Sequence, residues 1–433
     1  MAWVILGHTL ALNFQIMDNL GYVGPKWVSW TSFQAVENAL VSVDTFFAIS
    51  GLLVSYLLLK EMKKLGGPLK TNWFMFYFHR FWRLTPVYML IIGMYTCLTK
   101  YYSDGPIYPQ DEKTPCKQYW WTNLLYINNL VYPNGDAGGG CIAWTWYLAN
   151  DMQFYILSPL LIVPFYFGAP FGFASSFVFL ITTWGATGGL GHKYQWPPTQ
   201  LGGGPDTSHQ GEMFSKYYVK PYCRMGPYIM GVITGYLLYH TQCKLKIRWY
   251  LNILGWALAT LFASLVLYGL HDAMNGNPLK ENVAILYLTT HRTVWGACVC
   301  WVVFACVTGN GGPINTLLSW EGFVPLSRLT YCAYLVHPIV MEVYEGSLRH
   351  PLDFTILTFS FLFIGYLVCA MSIAFIVSLA FEAPMMGLEK IVFPKGGKKP
   401  NAKGGNESNG QTVPNLPIAV LSVKSPTVEN VKM

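Results

Sequence analysis

Long apolar runs alternate with short polar breaks along almost the whole chain. The runs cover about Met1–Met17, Ala35–Leu59, Trp73–Leu98, Trp144–Phe167, Phe173–Gly189, Gly226–His240, Trp249–Leu270, Ala284–Thr308, Val324–Gly346 and Phe354–Phe381. A hydrocarbon layer takes roughly 20 apolar residues to cross as a helix, so the pattern predicts an all-α, polytopic membrane bundle of about ten transmembrane helices. The breaks carry turn chemistry: GGP at Gly66–Pro68 after KEMKK, GAPFG at Gly168–Gly172, and KLKIR at Lys244–Arg248. The first run is short for a crossing and has no positive leader or small-residue cleavage site, which argues against a signal peptide. It reads as a helix whose inner end has been cut off. Two polar stretches, Thr99–Ala143 and Gly191–Arg224, read as outer loops. In the former, WWTNLLYINNLVY suits an interfacial or re-entrant piece, because Trp and Tyr favour headgroup level. From Lys395 the composition turns to Lys, Gly, Asn, Ser and Pro, which cannot support a packed core. The expected division is a transmembrane domain over 1–393 and a disordered tail over 394–433.

Composition and charge sharpen this reading. Of 433 residues, 53% are hydrophobic and only 11% charged, against about 25% charged in soluble domains. Lys and Arg crowd Lys60–Arg83, Lys244–Arg248 and the tail from Lys390. By the positive-inside tendency these segments lie in the cytoplasm. The expectation is a multi-pass protein of the plasma membrane or an endomembrane, with a cytoplasmic tail. The formal charge of +7 is thus a matter of topology, and without a basic stripe no nucleic-acid partner is expected. The ten cysteines show no metal-binding pattern. Cys116 and Cys141 bracket the first outer loop and make a plausible disulfide in an oxidising compartment. The sequon Asn406–Ser408 falls in the tail, where it is expected to stay unmodified.

A charge at mid-bilayer costs about 2.5–3.5 kcal/mol even on gentle insertion scales, so ionisable residues within the runs are candidates for function. Asp44 is one; its alternative is a structural partner for an intramembrane cation. His8 suits a proton acceptor for a hydroxyl nucleophile, or is a buried histidine bonded to a neighbouring helix. His79, Arg80 and Arg83 open the third run at its basic edge. Guanidinium pairs bind phosphate through charge-assisted hydrogen bonds, though snorkelling to lipid headgroups is the alternative. Asp151 lies near the outer end of the fourth run, and His291–Arg292 in the outer half of the eighth, where the pair reads as snorkelling. Thr330, Tyr334 and His337 recur on one helical face of the ninth, as packing or as part of a site. The glycine clusters GDAGGG and GGGP lack the GK of a phosphate loop and read as turns; no GxSxG or HExxH motif occurs.

Taken in order, WVILGH at Trp3–His8, VDTFFAISG at Val43–Gly51, HRFWRLTP at His79–Pro86, WYLANDMQFY at Trp146–Tyr155, HRTVW at His291–Trp295 and LSRLTYCAYLVH at Leu326–His337 resemble the membrane acyltransferase-3 family. The resemblance is to its animal nose-resistant-to-fluoxetine branch and covers nearly all of the chain except the tail. It implies acyl-CoA as a cytoplasmic co-substrate rather than a permanently bound cofactor. It further implies O-acyl transfer to a membrane lipid or other hydroxyl acceptor. On it, His8 falls on the general base and Arg80 and Arg83 on contacts to the coenzyme A phosphates. Asp151 falls on an acidic motif position, usually glutamate in bacterial members, and Asp44 and His337 match further motif positions. The thioester is expected to reach an interior cavity bordered by His8, Asp44 and the Tyr334–His337 face. The family's basic residue about eleven positions before the first-helix histidine would precede Met1. The lumenal cysteine-rich domain of the animal branch has no counterpart here, in keeping with a cut-off first helix. A lipid or small-molecule carrier using the same cavity without chemistry is the alternative function.

Overall fold

The computed structural model describes residues 1–106, 114–198 and 208–393. The expected disordered tail, its sequon and the GGGP turn lie outside the described residues. Among those residues the fold is all-α, with one isolated bridge between Met17 and Leu352. The principal helices are α1 (Ala2–Leu12), α2 (Ser42–Leu65), α3 (Trp73–Leu98), α4 (Trp146–Phe167), α5 (Ala169–Tyr194), α6 (Pro221–His240), α7 (Trp249–Tyr268), α8 (Glu281–Val307), α9 (Thr330–Ser347) and α10 (Ile356–Val377). Seven helical segments are long and apolar enough to cross a membrane: those containing α2, α3, α4, α5, α7, α8 and α10.

The other three principal helices fall outside this set, so among the described residues length and apolarity alone do not confirm the count of about ten spans. The apolar α1 is only 11 residues long, or about 16 Å. The α6 helix is buried along most of its length, with Arg224, Tyr228, Ile229, Val232 and Leu238 sealed from solvent. A helix surrounded by protein needs no lipid-compatible exterior, so its hydropathy falls. The ninth run breaks into a turn at Phe323–Arg328 followed by α9, and α9 turns Tyr334 and Glu342 to an internal cavity. Boundaries shift as well. The stretch expected as an outer loop up to Arg224 gives way to α6 at Pro221, whose missing N–H costs nothing in a first turn. Past α10 the helix winds on through a wide turn at Ser378–Glu382 into Ala383–Val392.

Local chemistry explains the better-anticipated breaks. Gly66 and Gly67 take φ values of 82° and 135° after α2, conformations that cost other residues a Cβ clash. Asn72 caps α3, its side-chain oxygen accepting from Met75 N at 3.1 Å. In the outer region the Cys116–Cys141 disulfide is formed. It joins helix Thr114–Leu124 to the entry of α4, and Asn123 donates to the Cys141 carbonyl at 2.7 Å and to Tyr88 Oη at 2.9 Å.

The closest packing in the bundle is α2 against α6. A Cβ on Gly51 would lie 2.2 Å from the Tyr228 carbonyl oxygen, and one on Gly231 or Gly235 would lie 2.0 or 2.4 Å from the carbonyl oxygens of Ala48 or Leu52. Lipid supplies no hydrophobic drive between helices, so such contacts depend on backbones approaching closely through small residues. Around this pair α4, α5, α7 and α8 form one helix group; α1, α9 and α10 form another, with α3 packed against α9. Gly231→Ala is expected to cost about 1–3 kcal/mol, measured as a lower Tm of the detergent-purified protein. Gly93→Ala, with nothing within 4 Å of the added carbon, serves as the neutral control.

Candidate active site

Between the two groups lies a cavity of about 2650 Å³, lined from α1, α2, α3, α4, α9 and the segment following α10. Along α2 and the helical turns before it, lining residues run from Glu37 to Lys64, about 40 Å along a helical axis. The periodicity of α2 decides what faces where. Val43, Phe46, Ser50, Leu53 and Leu57 turn to the cavity, whereas Asp44, Ala48, Gly51 and Ser55 are buried on the other side.

Asp44, expected at the border of the cavity, is not on it and takes the alternative role of partner to an intramembrane cation. It pairs with Arg224 of α6 at 2.9 Å, both side chains fully buried. The Arg224 Nε donates to the Tyr218 carbonyl at 2.6 Å, and its guanidinium lies over the rings of Tyr218 and Trp146 at 4.1 and 4.6 Å. Arg224 went unnoticed in the sequence because it was assigned to a loop; an arginine between PYC and MGPYIMG was the available signal. His291 and Arg292 do not snorkel. They are 9% and 5% exposed, with His291 Nδ1 donating to the Tyr287 carbonyl at 2.7 Å.

Four of the expected residues, His79, Arg80, Arg83 and Asp151, gather at the basic end of the cavity. Arg80 is ion-paired to Asp151, whose other oxygen accepts from Ser50 Oγ at 2.7 Å. The Arg80 guanidinium stands 4.6 Å from the Tyr155 ring centroid. Arg83, one turn on, also lines the cavity and makes no hydrogen bond or ion pair among the described residues. His79 contacts Glu389 beyond α10. Neither Ser50 nor Glu389 stood out in the sequence, since their roles come only from partners far along the chain.

Farther along the same cavity stands His8. Its neighbour Gly7 abuts Ala39, and Ala39 precedes Ser50 by eleven positions, so His8 and the Arg80–Asp151 pair are offset by roughly 16 Å along the helix axis. His8 Nδ1 lies 2.7 Å from His337 Nε2, and the two rings are within 7° of parallel. His337 is fully buried, with its Nδ1 facing the carbonyl oxygens of Tyr334 and Ala333 at 2.9 and 3.1 Å. Only an N–H can face a carbonyl, so His337 carries its proton on Nδ1 and accepts at Nε2. His8 must then donate from Nδ1, which leaves a lone pair on its Nε2. Tyr334 and Thr330 join the cavity wall, and the Tyr334 hydroxyl donates to the Trp144 carbonyl.

Comparison with known proteins bears on this arrangement. A family described as "Acyltransferase domain" matches residues 1–382. The chain is 34% identical over 452 aligned positions to Nose resistant to fluoxetine protein 6 of Caenorhabditis elegans, covering 96% of this chain and 52% of that protein. It is 25% identical over 376 positions to Regulator of hypoxia-inducible factor 1 of the same nematode, covering 79% of this chain and 69% of that one. A shorter match of 137 positions, 34% identical and covering 30% of this chain and 21% of the other, is to a Staphylococcus aureus protein named "Putative O-acetyltransferase". No solved structure matches significantly. The chain spans about half the length of the first of these relatives. A family match running from the first residue to Glu382, through all ten principal helices, places this chain in the acyltransferase-3 family of integral membrane proteins.

Proposed function

We propose that the chain transfers an acyl group from a cytoplasmic acyl-CoA to a hydroxyl acceptor, with His8 as general base. The observation that carries this reading is the single cavity shared by His8 and the Arg80–Arg83 turn. The coenzyme A phosphates dock at the basic end. Arg83 supplies a guanidinium that makes no hydrogen bond or ion pair among the described residues, with Glu382 and Glu389 acting on it only at longer range. Arg80, held by Asp151, adds a fixed cation one turn away. The offset of roughly 16 Å along the helix axis is then spanned by the flexible pantetheine arm, which brings the thioester to His8.

At that point His8 Nε2 takes the proton of the acceptor hydroxyl as its oxygen attacks the thioester carbon. The tetrahedral intermediate collapses with loss of the coenzyme A thiolate, and the proton on Nε2 passes to that sulfur. His337 is a positioning residue, because its own hydrogen bonds oblige His8 to keep its free lone pair on the cavity side. The acceptor enters from the opposite end, where Tyr95, Glu342 and Trp144 line the wall. Membrane lipids and other amphiphilic alcohols suit an apolar passage of this length. A carrier function is the second reading, favoured by a cavity that follows α2 from one end to the other; it leaves the tautomer-fixed His8–His337 pair without a task.

Two substitutions separate chemistry from docking. His8→Ala in the full chain is expected to slow acyl-CoA turnover by about 10²–10⁴-fold with acyl-CoA binding retained; normal turnover would remove His8 from the mechanism. Arg83→Ala is expected to raise KM for acyl-CoA by about 10- to 100-fold, the loss of one charge-assisted phosphate contact, with kcat nearly unchanged. A fall in kcat at constant KM would place the phosphates elsewhere.

A further inference from the structure

The buried charge behind α2 does not balance. Arg224 and Arg292 are 0% and 5% exposed, and arginine keeps its proton in proteins. Among the described residues the carboxylate that pairs with this group is Asp44, and it is bonded to Arg224. Arg292 lies over the rings of Tyr217 and Tyr218 at 4.1 and 5.6 Å. Its hydrogen bond is one long contact from Nη1 to the Cys223 carbonyl at 3.4 Å. Two cations and one anion leave a net positive charge in the interior, which protein rarely tolerates without a counter-charge.

Against Arg292 lies a small, partly open space of about 30 Å³ walled by Asn38, Tyr217, Tyr218, Tyr287, His291 and Arg292, with Tyr218 also on the wall of the large cavity. Its size suits one monatomic ion or a water molecule, and a water carries no charge. The Tyr217 and Tyr287 hydroxyls already donate to the carbonyls of Leu288 and Val266 at 3.0 and 2.7 Å. Asn38 Nδ2 donates to the Leu267 carbonyl at 2.7 Å. The donors left for an occupant are the Arg292 guanidinium, the Tyr218 hydroxyl and the second N–H of Asn38 Nδ2.

We propose that this space binds a chloride-sized monovalent anion, held by Arg292 and Tyr218, which completes the charge balance of the Asp44–Arg224–Arg292 group. Although Tyr218 also borders the large cavity, the proposal stands whether or not the acyl-transfer function does.

The test is thermal unfolding of the detergent-purified full chain in sodium chloride against sodium gluconate at constant ionic strength. Chloride is expected to raise Tm saturably by about 2–4 °C, bromide to substitute for it, and Arg292→Met to lose the dependence because the cation that needs neutralising is gone. Should that variant fail to fold, Tyr218→Phe is expected to weaken the half-saturating chloride concentration by about three- to tenfold. Equal Tm in chloride and gluconate for the unsubstituted protein would overturn the proposal, as would undiminished chloride dependence in Arg292→Met or an unchanged half-saturation in Tyr218→Phe.

Discussion

The backbone contact between α2 and α6 is the constraint from which the rest of the architecture follows. With Gly51 set against Tyr228, and Gly231 and Gly235 set against Ala48 and Leu52, the two helices lie too close for side chains between them. That commits one face of α2 to α6 and carries Asp44 to Arg224 on the same side. The opposite face, with Val43, Phe46, Ser50, Leu53 and Leu57, is left to line a cavity. A looser contact would let α2 rotate, and Asp44 and Ser50 would exchange surroundings.

Charge is distributed according to the same division. Within the bilayer, polar groups have to find partners in the protein or in an enclosed aqueous space. On the packed side Asp44 and Arg224 form a buried ion pair, with Asp44 Oδ2 and Arg224 Nη2 left without a hydrogen-bond partner among the described residues. On the cavity side Asp151 holds Arg80, His337 holds His8, and Arg83 is left to face the interior. The Arg83 guanidinium and His8 Nε2, both with spare bonding capacity, share the cavity surface, and that is the arrangement the proposed donor, with phosphates at one end and a thioester at the other, would need.

Much of this was legible in the sequence, and the limits of legibility have physical causes. The apolar runs located most helices because lipid exposure demands a continuous apolar stretch. The GGP break and the Cys116–Cys141 pairing were local or near-local signals. The family resemblance, carried by motifs such as HRFWRLTP and LSRLTYCAYLVH, was borne out by the comparison with known proteins. The buried α6 was read short, as a run from Gly226, because protein-facing helices tolerate Arg224, prolines and glycines that a hydropathy pattern reads as loop. Asp44 was read as a cavity residue because composition gives its depth but not its azimuth, which the glycines of α6 settle. The pairing of His8 with His337 joins residues 329 positions apart, and no local pattern encodes it.

The central claim is that the cavity performs chemistry rather than passage. It is tested most directly in proteoliposomes of total membrane-lipid extract, given acyl-CoA carrying a radiolabel in its acyl group. The account predicts that the label is recovered in a new ester, with free coenzyme A released in equal amount. Label that crosses into the vesicle interior still attached to coenzyme A, with no ester formed, would contradict it and identify the protein as a carrier.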